Sequence, residues 1–196
     1  MTSLLFTDKA IKYKINIKDE EVQNILPITL KFNPPRDALI IHTNESIMVY
    51  TPDDQVLHPS NRIKLNILHL FEKDGMVTCI TPQGQFTFKI TKKETLFSLT
   101  GSKGTFYPNL VDTKKFIVPV ESACGNEQVF LLHSNRNLTI VQQRPTMYQF
   151  NLPKGRLYTY QDILVIITEC QSIFYRMIDG DVKQLKIVDN CTVVAI

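Results

Sequence analysis

The sequence predicts an all-β, antiparallel fold, and three observations carry that prediction. Its 196 residues include 4 Ala against 53 β-branched residues (21 Ile, 14 Val and 18 Thr). Ala loses least on entering a helix, whereas β-branched side chains lose χ1 freedom there and pack well on a pleated sheet. An apolar strand, a polar turn and a second apolar strand recur along the chain. No segment between these strands has the length of the crossover helix that a parallel sheet needs. Apolar content of 43% with 21% charge excludes a disordered chain. The mass of 22.5 kDa allows an ordinary core without covalent staples. The length predicts a single all-β domain over residues 1–196.

The hairpins follow in order. Leu39–Val49 and Phe130–Ile140 match best, each turning at a polar segment after a histidine, His42 or His133. Leu4–Ile11 is a looser copy. Leu68–Cys79 turns at Glu72-Lys73-Asp74-Gly75, Leu96–Tyr107 at Gly101-Ser102-Lys103-Gly104, and Leu164–Tyr175 near Glu169–Ser172. Further strands are expected at Ile63–Leu65, Phe86–Ile90, Phe116–Val118 and Val182–Ile187. Gln85–Ile90 and Val182–Ile187 alternate polar with apolar residues, as strands with one wet face do. Asp19–Leu26 reads as briefly helical. The final segment, Cys191–Ile196, reads as a strand that must be paired, because an apolar edge invites aggregation. Its expected partner is an early strand such as Ser3–Phe6; the alternative is a piece of a larger molecule.

Short antiparallel strands with a repeated hairpin resemble a β-propeller of the WD-repeat type. The resemblance spans nearly the whole chain. There is no Trp, hence no Trp-Asp pair, and there is no Gly-His pair. It implies a small or partial propeller: a rigid scaffold whose loops and rim hold other protein subunits. A β-trefoil, a β-sandwich or a barrel is the alternative fold.

Motifs argue mainly against chemistry. Cys79, Cys124, Cys170 and Cys191 form no C-x-x-C pair, so reduced, buried thiols are expected and no metal site. His42 and His133 recur because the hairpin recurs. Gly101–Thr105 lacks both the phosphate-loop spacing and a following helix, and no Gly-x-Ser-x-Gly is present. The carboxylate pairs Glu20-Glu21, Asp53-Asp54 and Asp179/Asp181 sit in turn-like contexts. The three Asn-x-Ser/Thr triplets, at Asn44, Asn137 and Asn190, read as turn residues. No enzyme activity and no cofactor are expected.

Net charge is +3 with a pI near 8.6. That is milder than the basic stripe typical of nucleic-acid binders. Nucleic-acid or acidic-ligand binding through Lys-rich faces such as Lys12/Lys14 stands as the alternative function, and a hydrolase with a loop-built site as a second. No apolar run approaches a membrane span. Met1–Ile15 reaches Asp8 and Lys9 too early for a secretory leader, so the cytoplasm or nucleus is expected. The segment Gln142–Asp162 is the least regular, with Pro145, Pro153 and Gly155 among aromatic residues. Tyr148, Phe150, Lys154, Arg156, Tyr158 and Tyr160 are therefore the candidate partner-binding residues. Tyr158 and Tyr160 would share a strand face close to Lys154 and Arg156.

Overall fold

Strands and polar turns alternate through the chain, and the turns set the topology. The computed structural model describes residues 2–8, 11–17, 20–53, 56–58, 64–93, 105–125, 128–141, 146–148, 152–178 and 181–189. A two-stranded hairpin pairs β1 (Thr2–Asp8) with β2 (Ile11–Ile17). Four four-stranded antiparallel sheets follow. The first is β3 (Val22–Leu30), β4 (Arg36–Thr43), β5 (Ile47–Thr51) and β6 (Val56–Leu57). The second is β7 (His69–Lys73), β8 (Met76–Thr81), β9 (Gly84–Lys93) and β10 (Thr105–Lys115). The third is β11 (Val120–Cys124), β12 (Val129–His133), β13 (Leu138–Val141) and β14 (Thr146–Tyr148). The fourth is β15 (Arg156–Tyr160), β16 (Ile163–Ile167), β17 (Gln171–Ile178) and β18 (Asp181–Asp189). Within each sheet every strand pairs with the next in sequence. Successive four-stranded meanders of this kind are the blades of a β-propeller. A trefoil would show six hairpins without four-stranded sheets, and a sandwich would show two sheets, so both alternatives fall.

The hairpins read from sequence occupy two different places in the blade. Leu39–Val49, Phe130–Ile140 and Leu164–Tyr175 are the second–third strand hairpins of blades one, three and four. Leu68–Cys79 is the first–second hairpin of blade two. Of the Leu96–Tyr107 hairpin, the first strand and the turn lie outside the described residues and Thr105–Tyr107 begins β10; Cys191–Ile196 also lies outside the described residues.

One turn chemistry repeats in three blades. At the second–third hairpin a Thr hydroxyl accepts the backbone N–H three residues on: Ser46 N–H to Thr43 Oγ1 at 2.9 Å, Gly84 N–H to Thr81 Oγ1 at 3.1 Å, and Gln171 N–H to Thr168 Oγ1 at 3.0 Å. The hydroxyl pins the reversal, a known role of Ser and Thr in turns. Blade three uses a longer turn, in which the His133 N–H donates to the Asn137 carbonyl at 2.9 Å.

Residue contacts divide the chain into two compact units: Met1–Cys79 with Phe86–Thr113, and Ile80–Gln85 with Lys114–Ile196. In the first, Ala38, Ile40, Ile47 and Val49 pack with Val77, Cys79, Phe88, Ile90 and Phe106. The alternate residues of β4 and β5, Ile41, Met48 and Tyr50, pack with Ile17 in a separate cluster. Both faces of β4 and β5 are thus buried, which explains their continuous apolar runs. In the second unit, Phe130, Leu132, Leu138 and Ile140 pack with Leu157, Leu164, Ile166 and Ile173.

Four local expectations are corrected. Val22–Leu26, expected to be helical, belongs to β3, where pairing with β4 overrides a brief periodicity. Pro27 is accommodated on β3 because that strand is at an edge of its sheet, where a residue without an N–H is tolerated. Lys64-Leu65 and Phe116–Val118 are not strands; they are connections between sheets. The Phe116 and Val120 N–H groups donate to the Gln83 and Pro82 carbonyls, which holds that second connection irregular. Cys79 and Cys124 are buried as expected, but Cys170 is exposed, because it sits in the Thr168 turn.

Candidate interaction face on the fourth blade

The strand β15 lies inside the segment expected to be least regular, yet Arg156–Tyr160 is a regular strand. Gly155 starts it. A Cβ at that position would lie 2.5 Å from the Ile167 carbonyl oxygen and 3.0 Å from Ile166 Cγ2, so only Gly fits this close approach. The register then sorts the side chains. Leu157 faces inward, 3% exposed, among Leu164 and Ile166. Its N–H donates to Ser122 Oγ on β11 at 2.9 Å. Arg156, Tyr158 and Tyr160 take the opposite face, across from Ile167, Val165 and Ile163. Tyr158 is 44% and Tyr160 70% exposed. Aromatic side chains of this size usually find cover; two of them exposed at alternate positions of one strand form a contact strip.

The strip runs into an open groove of about 810 Å³ lined by Glu121, Lys154, Arg156, Ile167, Glu169 and Cys170, among others. Lys154 Nζ lies 3.5 Å from Glu121 Oε1, with the lysine side chain 78% exposed. Such a pair is screened and worth little. Across the blade, Arg176 Nε pairs with Asp162 Oδ2 at 3.2 Å. Among the described residues Arg156 makes no ion pair.

The alternation of β15 thus puts Arg156, Tyr158 and Tyr160 on one face, and Lys154, in the bend before the strand, lines the groove beside Arg156. Tyr148 ends β14, opposite Leu138; its side chain is outside the described residues, and so is Phe150. Sequence reasoning missed Glu121, Ile167 and Glu169 as groove residues. They come from β11 and the β16–β17 hairpin, and no local signal announces that β11 runs beside β15.

The remaining candidates have structural roles. His42 is fully buried: its Nδ1 lies 3.3 Å from Asn24 Nδ2 and its Nε2 3.2 Å from the Leu65 carbonyl. Desolvation holds its pKa below the usual value, against the raising effect of that carbonyl. The neutral tautomer with Nε2–H donating to Leu65 and Nδ1 accepting from Asn24 satisfies both contacts. His133 contacts the Val118 carbonyl at 3.0 Å and Thr139 Oγ1 at 2.8 Å. Each histidine ties its own hairpin to a neighbouring connection, as a repeated hairpin implies. Glu20 accepts hydrogen bonds from Thr43 Oγ1 and, at 2.7 Å, from Ser46 Oγ, fixing the entry to β3. Burial pushes the Cys79 and Cys124 thiols up to about 12. Among the described residues no group of three or more His, Cys, Asp or Glu is placed to hold a metal, and no helix is long and apolar enough to cross a membrane. The Gly101–Gly104 turn and the Lys12 and Lys14 side chains lie outside what the structure describes.

No protein-family model and no curated protein matches this sequence. Solved structures do. The N-terminal domain of Nup159 aligns over 77% of this chain and 41% of its own, at 12% identity and a TM-score of 0.51. Hsv2 of Kluyveromyces marxianus aligns over 88% and 53%, at 8% identity and 0.52. A functionally unknown protein of Desulfotomaculum acetoxidans aligns over 94% and 62%, at 12% identity and 0.53. The chain spans less than two thirds of each of these. At such identities the likeness concerns architecture alone, and that architecture is the β-propeller.

Proposed function

We propose that this chain is a non-catalytic protein-interaction module, a subunit of a larger assembly, and that its contact strip is the exposed face of β15. The observation that carries this reading is the placement of Arg156, Tyr158 and Tyr160 on one face of one strand, with both tyrosines exposed. Tyr and Arg are the residue types that dominate binding energy at protein interfaces. A strand locked from behind by Leu157 presents them at low entropic cost. The likeness to propellers supports the same reading: one matching chain comes from a Saccharomyces cerevisiae assembly of Dbp5 bound to Nup159 and Gle1. A cytoplasmic or nuclear setting goes with this proposal.

The test is native co-purification of the wild-type chain beside a Tyr158→Ser/Tyr160→Ser variant. The reading expects a stoichiometric partner on the wild type and its loss from the variant, with unchanged circular dichroism. A wild-type chain that elutes alone at high yield, or a partner retained equally by both, would refute it.

A further inference from the structure

The interaction face has a polarity that specifies its occupant. Lys154 and Arg156 stand at the groove end of β15, and Tyr158 and Tyr160 at the other end. Arg156, Tyr158 and Tyr160 repeat every second residue, which is about 6.6 Å along a strand. An extended chain presents its own alternate side chains at that interval, whereas neighbouring positions on a helix face lie about 5–6 Å apart. The charge is also one-sided. Glu121 is engaged with Lys154 and Asp162 with Arg176. Arg156 on β15 and Lys183 and Lys186 on β18 are exposed and make no ion pair among the described residues. Lys186 lies in the cross-strand row of Tyr158, Val165 and Phe174, and Lys183 in that of Tyr160, Ile163 and Arg176. Glu169, which also borders this face, is exposed and makes no ion pair among the described residues.

From this geometry we infer that the fourth blade binds an extended peptide segment of a partner protein, with carboxylates at one end and apolar side chains at alternate positions beyond them. The inference rests on the interaction reading above and names the chemistry of its partner. The carboxylates meet Arg156 at the groove. The apolar side chains lie along Tyr158 and Tyr160, against the partly buried Ile163. A single-stranded nucleic acid would use the same tyrosines for stacking, but it carries a phosphate at every step. The aromatic end of β15 offers no cation on the strand itself, and its partners on β16, Val165 and Ile163, are aliphatic; Arg176 in the next strand is held by Asp162, and Lys183 and Lys186 stand three strands away on β18. Those features favour the peptide.

The experiment is fluorescence anisotropy on the full chain with short labelled peptides. The probes are a peptide of clustered glutamates followed by alternating leucines, the same peptide in reverse order, a lysine-for-glutamate version and labelled oligo-dT. The inference expects saturable binding of a glutamate–leucine peptide in one order, weakened by added salt. It expects Arg156→Glu to weaken that binding about tenfold or more, and Arg156→Gln to weaken it less, since reversal adds repulsion to lost attraction. Absence of saturable binding, equal binding of the lysine peptide, tighter binding of oligo-dT, or indifference to Arg156→Glu would each overturn it. A co-purifying partner that depends on Tyr158 and Tyr160 but contacts them without carboxylates at Arg156 would overturn this inference alone and leave the interaction reading standing.

Discussion

Mild acid should destabilise this fold through one histidine. His42 is 0% exposed, and both ring nitrogens are engaged in the neutral state, with Asn24 and with the Leu65 carbonyl. Its pKa in the fold is lowered, first by desolvation. The unfolded chain titrates near 6.5. Between that value and the lower one of the folded state, the unfolded chain binds a proton that the native chain does not. Stability therefore rises with pH in this window. It is fully present above about 6.5 and falls away as pH drops below it. Taking pH from 7.5 to 5.5 costs at most about 1.4 kcal/mol from this group, the limit in which native His42 stays unprotonated throughout. The assay is urea unfolding across that range, comparing wild type with His42→Gln. The amide can still donate and accept but does not titrate, and the subtraction removes the shared contribution of the carboxylates. The wild type should lose stability faster than the variant as pH falls. Parallel curves would refute the assignment of His42 as a buried neutral base.

Four further outcomes follow from particular contacts. Gly84→Ala should destabilise by about 1–3 kcal/mol, because its Cβ would lie 2.5 Å from the Lys114 carbonyl oxygen; thermal unfolding should then drop by about 2–4 °C per kcal/mol. Thr81→Val, which keeps the shape but removes the hydroxyl that holds Gly84 N–H at 3.1 Å, should cost about 1–3 kcal/mol by leaving a buried donor unpaired. Leu138→Ala, at 0% exposure in the second core, should cost about 2–5 kcal/mol in chemical denaturation. In a Cys191→Ser background, a thiol reagent at pH 8 should modify Cys170 quickly and Cys79 and Cys124 only on unfolding, since burial holds those two thiols at about 12; three equally fast thiols would contradict the burial described here.

What the sequence revealed was local, and what it hid was pairing between distant segments. The apolar runs Leu39–Ile41 and Ile47–Val49 mark strands because both of their faces are buried, and the polar turn between them is self-evident. That signal does not say whether a hairpin joins the first and second strands of a blade or the second and third. Leu68–Cys79 and Leu39–Val49 look alike in sequence and stand at different places. The Thr turn would have separated them: Thr43, Thr81 and Thr168 mark the second–third reversal, and the chain carries too many threonines for three of them to stand out unaided. In Val22–Leu26 a short apolar periodicity yields to a ladder of eight residue pairs with β4. At the candidate site, the alternation Arg156-Leu157-Tyr158-Thr159-Tyr160 was legible as a face. The groove was not, because Glu121 and Glu169 reach it only through the folding of β11 and the β16–β17 hairpin.

The central claim is that the exposed face of β15 holds a protein partner. The most direct measurement is site-specific photocrosslinking in the native cell, with a benzophenone side chain at position 160 and, as a control, at Met76, another exposed apolar position. The account predicts one discrete crosslinked protein from position 160, absent from position 76 and abolished by Arg156→Glu. Identical crosslinking from both positions, or none from position 160, would contradict it.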